Sequence, residues 1–296
     1  MSLQAFIDYL SLEKQYSKHT VSAYSRDIEA FQTFLDNHYG DANLADVNYS
    51  QIRSWIVALV ETKITNRSIN RKVSSLQSYF KFLLKVENIE VNPLAKHKAL
   101  KTSKKIQIPF SKAEVNSVLD GISHSHSFEG IRNKLIIELF YSTGMRRIEL
   151  IELQLSSFDL SNKTVKVLGK QNKERYIPLL ESVIQTLQLY LEARQLLENG
   201  ANSPYLFLTK KGVKIYENLV YRIINEYFSK ASLKAKKSPH ILRHSFATHL
   251  LNQGANLNAV KELLGHASLA ATQVYTHNSI SELKKVYSNA HPRSKK

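Results

Sequence analysis

Cysteine is absent from this chain, which excludes disulfides, thiolate zinc sites and cysteine nucleophiles together. No run of about 18 apolar residues occurs, so no membrane-spanning helix is expected. The glycine motifs that cradle phosphates, GxxxxGK[ST] and GxGxxG, are both missing, and with them the usual sites for ATP and dinucleotides. There is no HExxH and no dense carboxylate cluster of the two-metal nuclease kind. His240 and His244 are spaced to share a helix face, but Arg243 lies between them. Neither a metal nor any other cofactor is expected. The opening segment MSLQAFIDYLSLEKQ carries Asp8 and Glu13 and lacks a basic start before an apolar core. A signal peptide is therefore not expected, and a cytoplasmic location is.

Acidic residues are few relative to basic ones. There are 25 Asp and Glu against 41 Lys and Arg, a formal net charge of +16 over 296 residues. The excess is spread along the chain: residues 1–105 hold 15 basic and 10 acidic side chains, and the remainder 26 and 15. Such a field favours a polyanion, whose condensed counterions are released on binding. A basic protein with no nucleic-acid role has the same composition, so charge alone leaves both readings open.

The length suggests two domains. Helical periodicity dominates the first third. Leu3, Phe6, Ile7 and Leu10 fall on one helix face, and Thr20 is a candidate cap for a second helix through Val21, Tyr24, Ile28, Phe31 and Leu35. Ile52, Trp55, Ile56, Leu59 and Val60 mark a third, and Ile69, Val73, Leu76, Phe80 and Leu83 a fourth. The opposite face of that fourth helix, with Arg67, Arg71, Lys72, Ser74, Ser75 and Ser78, has the chemistry of a surface that meets a phosphate backbone, or simply of a solvated face. A polar, proline-containing stretch from Glu87 to Pro109 then breaks the periodicity. Its basic cluster Lys96, His97, Lys98, Lys101, Lys104, Lys105 has little to bury. The division expected is a helical domain over 1–90, a basic linker over 91–105 and a second domain over 106–296.

Ser111 and Glu114 form a capping-box pair at the opening of the second domain. A helix covers Leu135 to Tyr141 and stops near Gly144. TVKVLGKQNKERYIPL, residues 164–179, alternates apolar and polar residues about a polar centre, which indicates a β-hairpin with Gly169 to Lys173 at its tip. A short strand is expected at Tyr205–Leu208, and helices elsewhere. The fold class is mainly α, with a small hairpin or sheet.

Three segments concentrate reactive side chains. STGMRRIEL at 142–150 places Arg146 near a helix start, with Glu149 three residues on and able to brace a guanidinium. The hairpin tip presents Lys170 and Lys173. PHILRHSFATHL at 239–250 is followed by LLGHASLAATQVYTH at 263–277. Taken singly, each has a plain structural explanation: a surface arginine, a solvated turn lysine, a packed helical histidine.

Together they resemble the tyrosine site-specific recombinases. Gly-Met-Arg-Arg-Ile-Glu-Leu, Gly169-Lys170, His240-Ile-Leu-Arg243-His244, Leu264-Gly265-His266 and Tyr275 occur in that family's order and spacing. Lys170 falls 24 residues after Arg146, His266 23 after Arg243, and Tyr275 nine after His266. YSKHTVSAYSRDIEAF at 16–31 resembles the family's N-terminal core-binding domain, and the likeness runs from Leu3 to the final HPRSKK, nearest to the Xer branch. The resemblance implies a catalytic set of Arg146, Lys170, His240, Arg243, His266 and Tyr275. Arg146 is favoured over its neighbour Arg147 by the family's Gly-x-Arg spacing. Glu149 and His249 read as structural support.

The chemistry implied is conservative strand exchange without ATP. Tyr275 would attack a phosphodiester to form a 3′-phosphotyrosine, His240 would serve as base, and Lys170 would protonate the leaving 5′ oxygen. Arg146, Arg243 and His266 would stabilise the phosphoryl charge. The expected partners are a double-stranded recombination site, gripped between the two domains with help from Arg67, Arg71, Lys72 and Lys173, and sister protomers in a tetramer. A second Xer-type recombinase and a DNA-translocating division protein are also implied, with chromosome dimer resolution as the task and no membrane. The alternatives are a small mobile-element integrase, a type IB topoisomerase-like enzyme and a non-catalytic DNA-binding regulator. No additional arm-binding domain is seen before residue 3, which disfavours a large phage-type integrase. Finally, Ile280, Leu283, Val286 and Tyr287 form an apolar stripe that must dock somewhere, either on its own domain or, as the Xer resemblance implies, on a neighbouring protomer.

Overall fold

A computed structural model describes residues 3–40, 43–103, 107–122, 127–169, 173–198, 202–234, 236–265 and 277–294, with the side chains of 277–283 also outside the description. The chain divides into two compact units, Met1–Lys105 and Ile106–Lys296. Among the described residues no helix is long and apolar enough to cross a membrane.

Among the described residues of the first unit there are four α-helices: α1 (Leu3–Asp8), which runs into a π-helical turn at Tyr9–Glu13, α2 (Lys18–Tyr39), α3 (Tyr49–Glu61) and α4 (Asn66–Lys85). The apolar stripes read from the sequence converge, so that Phe6, Ile28, Phe31, Leu35, Ile52, Ile69, Leu76 and Phe80 are fully buried. Truncating one such aromatic to alanine typically costs about 3–5 kcal/mol. The cap of α2 differs from expectation. Ser17, not Thr20, closes the helix, its hydroxyl accepting the Thr20 N–H at 3.3 Å. Ser17 has the extended backbone that a cap needs, whereas Thr20 already lies inside the helix.

The stretch after α4 buries more than its composition suggests. Leu94 is fully buried in the core of the first unit. The Asn70 amide brackets one residue of the chain, donating to the Leu100 carbonyl and accepting the Leu100 N–H, each at 2.9 Å. Asn66 donates to the Lys101 carbonyl at 2.8 Å. Side-chain amides thus hold this segment as a neighbouring strand would.

The second unit contains α5 (Lys112–Ile122), α6 (Phe128–Thr143), α7 (Arg147–Ile151), strands β1 (Phe158–Asp159), β2 (Thr164–Leu168) and β3 (Glu174–Pro178), then α8 (Glu181–Gln195), α9 (Glu217–Ala231), α10 (Pro239–Asn252), α11 (Leu257–Leu264) and α12 (His277–Ala290). Ser111 and Glu114 do form a capping box, with bonds of 2.6 and 3.2 Å. Helix α6 is the central rod. Every residue from Leu135 to Thr143 is buried, against α8, α10 and α5, so this stretch is buried on all sides rather than along one stripe.

The hairpin is present as β2 and β3, paired antiparallel with Val165 opposite Ile177 and Val167 opposite Arg175. The two-residue β1 adds a third strand beside β2. No strand forms at Tyr205–Leu208, where only single bridges occur, Gln154 with Tyr205 and Leu208 with Lys214. Side chains supplement the backbone bonds there, such as Leu206 N–H to the Leu153 carbonyl at 2.7 Å and Ile215 N–H to the Phe207 carbonyl at 3.1 Å. The Tyr190 hydroxyl donates to the Leu206 carbonyl and accepts the Leu208 N–H, and Arg194 donates to the Ser203 and Tyr205 carbonyls.

The end of α12 docks on its own unit. Tyr287 is buried and donates its hydroxyl to the Ser142 carbonyl at 2.9 Å. His291, also buried, meets the Tyr141 carbonyl at 3.2 Å. Ile280 and Leu283 of the expected stripe lie outside the described side chains.

Candidate active site

Helix α6 ends where the site begins. Gly144 adopts a left-handed conformation, φ +59°, and its N–H closes on the Phe140 carbonyl. A Cβ at Gly144 would stand 2.3 Å from Phe246 and 2.8 Å from Leu264, so only glycine fits this junction between α6, α10 and α11. The turn delivers Arg146 to the cap of α7. Glu149, on the first turn of α7, reaches back to accept the Arg146 N–H at 2.6 Å and its Nη1 at 2.7 Å.

Glu149 is nearly fully buried and has a second cationic partner. Arg175 of β3, equally buried, donates Nη1 and Nη2 to the two Glu149 oxygens at 3.0 and 2.7 Å. Burial pushes the Glu149 carboxyl up. The hydrogen bonds and charge of Arg175, with the bonds from Arg146, outweigh it and hold the carboxyl below its ordinary value.

The far wall is the C-terminal end of α11, closed by Gly265 at φ +63°. Its last carbonyls each receive an arginine from a different element. Leu263 takes Arg175 Nε at 2.9 Å, Leu264 takes Arg243 Nη2 at 2.7 Å, and Gly265 takes Arg146 Nη2 at 3.1 Å. Arg243, from α10, also donates Nη1 to the Gly144 carbonyl at the end of α6. Carbonyls at helix ends have no partner within the helix and sit at the negative pole of the helix dipole, so they are natural seats for guanidinium groups. Burial, then the like charges of Arg146 and Arg175, lower the Arg243 pKa to about 10, with Glu149 opposing. The group remains cationic at neutral pH.

Beside Arg243 opens a cleft of about 830 Å³ lined by Lys236, Lys237, Ser238, His240 and His244, with Tyr221 and Leu264. Pro239 starts α10, which puts His240 in the first turn, exposed. A basic, open concavity at a helix N-terminus suits an anionic ligand.

The comparisons with known proteins point the same way. Residues 110–282 match the phage integrase family, and residues 3–87 match the N-terminal SAM-like domain of phage integrases. Among curated relatives, the tyrosine recombinase XerC of Anoxybacillus flavithermus is 40% identical, with 99% of this chain and 98% of the relative covered. The tyrosine recombinase XerC of Staphylococcus epidermidis is 38% identical at the same coverage. The chain belongs to the phage integrase family. Within it, this is a site-specific tyrosine recombinase of the Xer type, an enzyme of DNA breakage and rejoining. The fold agrees with solved members. The XerH recombinase bound to palindromic difH in a post-cleavage complex superposes with a TM-score of 0.73 at 24% identity, covering 97% of this chain and 83% of that one. The Tn1549 transposon integrase in complex with circular intermediate DNA gives 0.71 at 21%, covering 95% and 98%.

Of the six catalytic candidates, the structure of the recombinase brings Arg146 and Arg243 together and sets His240 on the neighbouring cleft. Lys170, His266 and Tyr275 lie outside the described residues. Their chain neighbours are described: Gly169 donates its N–H to the Lys173 carbonyl at 2.8 Å, leaving the Lys173 side chain exposed. Arg147, the alternative to Arg146, is engaged in an ion pair with Glu217 of α9. His249 packs in the core, its Nδ1 2.8 Å from the Tyr141 hydroxyl.

In the first unit Arg67 is exposed at the start of α4. Arg71 and Lys72 both point to the buried Asp27, which accepts two bonds from Arg71 at 2.5 and 2.9 Å, one from Lys72 at 3.2 Å and one from Ser75 at 2.8 Å. Arg71 remains half-exposed. Sequence reasoning missed Asp27 and Arg175. The signal for Arg175 was its register: it falls on the same hairpin face as Ile177, the apolar face, where an arginine needs a buried partner.

Proposed function

We propose that the recombinase holds the scissile phosphate of a duplex recombination site at the cleft beside α10. Arg146 and Arg243 donate paired hydrogen bonds to its non-bridging oxygens. The observation that carries this reading is the convergence of these two arginines on adjacent carbonyls at one helix end, next to a cationic cleft containing His240. Guanidinium forks fixed in advance stabilise charge that develops on a phosphoryl group without reorganising during the reaction.

In this mechanism the Tyr275 hydroxyl oxygen attacks phosphorus and its proton passes to His240. The bond from phosphorus to the 5′ oxygen breaks, and Lys170 protonates that oxygen. His266 adds a donor to the phosphoryl charge. The 3′-phosphotyrosine keeps the energy of the broken bond, so a 5′ hydroxyl from another strand can reverse the step without a cofactor.

The helical domain over 1–90 and the catalytic domain over 106–296, joined through 91–105, grip the duplex, with Arg67, Arg71, Lys72 and Lys173 as further phosphate contacts. Support comes from the net charge of +16 and from the DNA-bound XerH and Tn1549 relatives. Four protomers act together on two sites. The recombinase's task on this reading is chromosome dimer resolution in the cytoplasm, alongside a second Xer-type recombinase and a DNA-translocating division protein, as its Xer-type motifs imply; the match to relatives named tyrosine recombinase XerC is the support. The test is Tyr275→Phe on a nicked suicide duplex. Covalent attachment should vanish while site binding stays within about threefold, because only the nucleophilic oxygen is lost. A denaturant-stable adduct from this variant would reject the assignment.

A further inference from the structure

The mechanism gives Arg175 no task, yet its guanidinium is among the most fully engaged groups around the site. It is 3% exposed, and it places two bonds on Glu149 and one on the Leu263 carbonyl. Burying a guanidinium is costly, and an apolar side chain opposite Val167 would serve the hairpin core as well or better. A role in the site accounts for what packing does not.

Glu149 poses a problem that Arg175 solves. Alone with Arg146, the buried carboxylate would form a one-to-one ion pair and cancel much of the positive charge that a phosphate needs. Two cations on one carboxylate leave a net positive charge in the cluster. They also divide its oxygens: Arg175 takes both in a planar fork, and Arg146 approaches with Nη1 and its own N–H. The Arg175–Glu149 ion pair is buried on both sides, whereas Arg146 stays about a third exposed and open to a ligand. The Leu263 bond ties the same guanidinium to the helix end that seats Arg146 and Arg243.

We infer that Arg175 is a positioning residue for the reaction: it fixes and charge-balances Glu149, so that Glu149 orients Arg146 without cancelling the charge Arg146 brings to the phosphate. The inference rests on the phosphate-binding role proposed for Arg146. Lysine at this position keeps the charge but loses the fork, and glutamine keeps a donor for Leu263 but loses the charge.

The test compares full-length Arg175→Lys, Arg175→Gln and Arg146→Ala on two suicide duplexes. One carries an ordinary scissile phosphate, the other an uncharged methylphosphonate at that position. On the ordinary duplex both Arg175 variants should cleave about 10- to 100-fold more slowly, with site binding within about threefold of the parent. On the methylphosphonate, which has less charge to neutralise, the loss should shrink to about threefold or less, in the same direction as for Arg146→Ala. The ratio of the two rates in one sample does not depend on the folded fraction, and the glutamine variant serves if the lysine variant does not fold. Equal losses on both duplexes, or unchanged cleavage of the ordinary one, would overturn the inference and make Arg175 a packing residue. If Arg146→Ala itself loses equally on both, the reading of Arg146 falls, and this inference with it. If only the Arg175 variants do, the inference alone falls.

Discussion

Arg146 and Arg243 donate to adjacent peptide carbonyls, those of Gly265 and Leu264, at the C-terminal end of α11. One rigid helix end therefore sets the spacing of two guanidiniums that come from distant parts of the chain. Neither arginine can be exchanged for lysine without losing a bond in this arrangement, since an ammonium has neither the fork nor the reach across two acceptors. Arg146→Lys and Arg243→Lys should each lower the rate of strand cleavage by about 10²- to 10³-fold, with site binding nearly unchanged. Single-turnover cleavage beside a gel-shift titration checks this. A parallel loss of binding and cleavage would argue for a role in grip rather than chemistry.

Gly144 is the hinge on which that arrangement turns. Its left-handed φ and the Phe246 and Leu264 atoms within 3 Å of a would-be Cβ make any side chain both strained and overpacked. Gly144→Ala should destabilise the catalytic unit by about 2–4 kcal/mol, read from denaturant unfolding. A loss under about 1 kcal/mol would mean that the junction of α6, α10 and α11 is looser than described.

Much of this site could be read from the sequence, and what escaped did so for definite reasons. Arg146 and Arg243 sit in segments whose spacing is recognisable, and the alternation in residues 164–179 indicates the hairpin because its apolar face is regular. Arg175 was hidden by its neighbours: Lys173, Glu174 and Tyr176 make it look like one more surface charge, and only strict strand register puts it inside. Strand β1 has two residues, too few for any periodicity. Leu94, the Asn70 bracket around Leu100 and the Asn66 bond to Lys101 show how a charged, proline-containing stretch can still be anchored, by one buried leucine and two amides. No local pattern announces such contacts.

The cationic face of α4 should divide into two kinds of residue. Arg67 is exposed, whereas Arg71 shares the buried carboxylate of Asp27 with Lys72 and Ser75. Arg67→Ala should weaken site binding and reduce the salt dependence by about one counterion, leaving stability alone. Arg71→Ala should also destabilise the helical unit, by about 1–3 kcal/mol, because Asp27 loses its paired donors. Salt-dependent binding and thermal unfolding of the two variants separate these outcomes, and identical behaviour would contradict the distinction.

Docking of the C-terminal segment should depend on pH. Burial foremost, then the charges of Arg293 and His249, hold the His291 imidazole down at about 4, only partly opposed by the Tyr141 carbonyl. The docked ring is therefore neutral. Undocked, it binds a proton near its ordinary value of about 6.5, so docking is strongest above that and weakens as pH falls toward 4. From about pH 7 to pH 5 the loss amounts to about 2 kcal/mol. The protection of the amides of residues 287–291, taken as the intrinsic exchange rate over the observed one, should fall over this range, and His291→Gln should flatten the response. A flat response in the parent protein would show that the segment is not held through a neutral His291.

Strand exchange by this mechanism depends on which side chain becomes joined to DNA. The direct measurement is to trap the covalent complex on a suicide duplex, digest protein and DNA, and identify the modified residue by mass spectrometry. The account predicts a nucleotide joined through its 3′ phosphate to Tyr275 and to no other tyrosine. Attachment to a different residue, or through a 5′ phosphate, would contradict it.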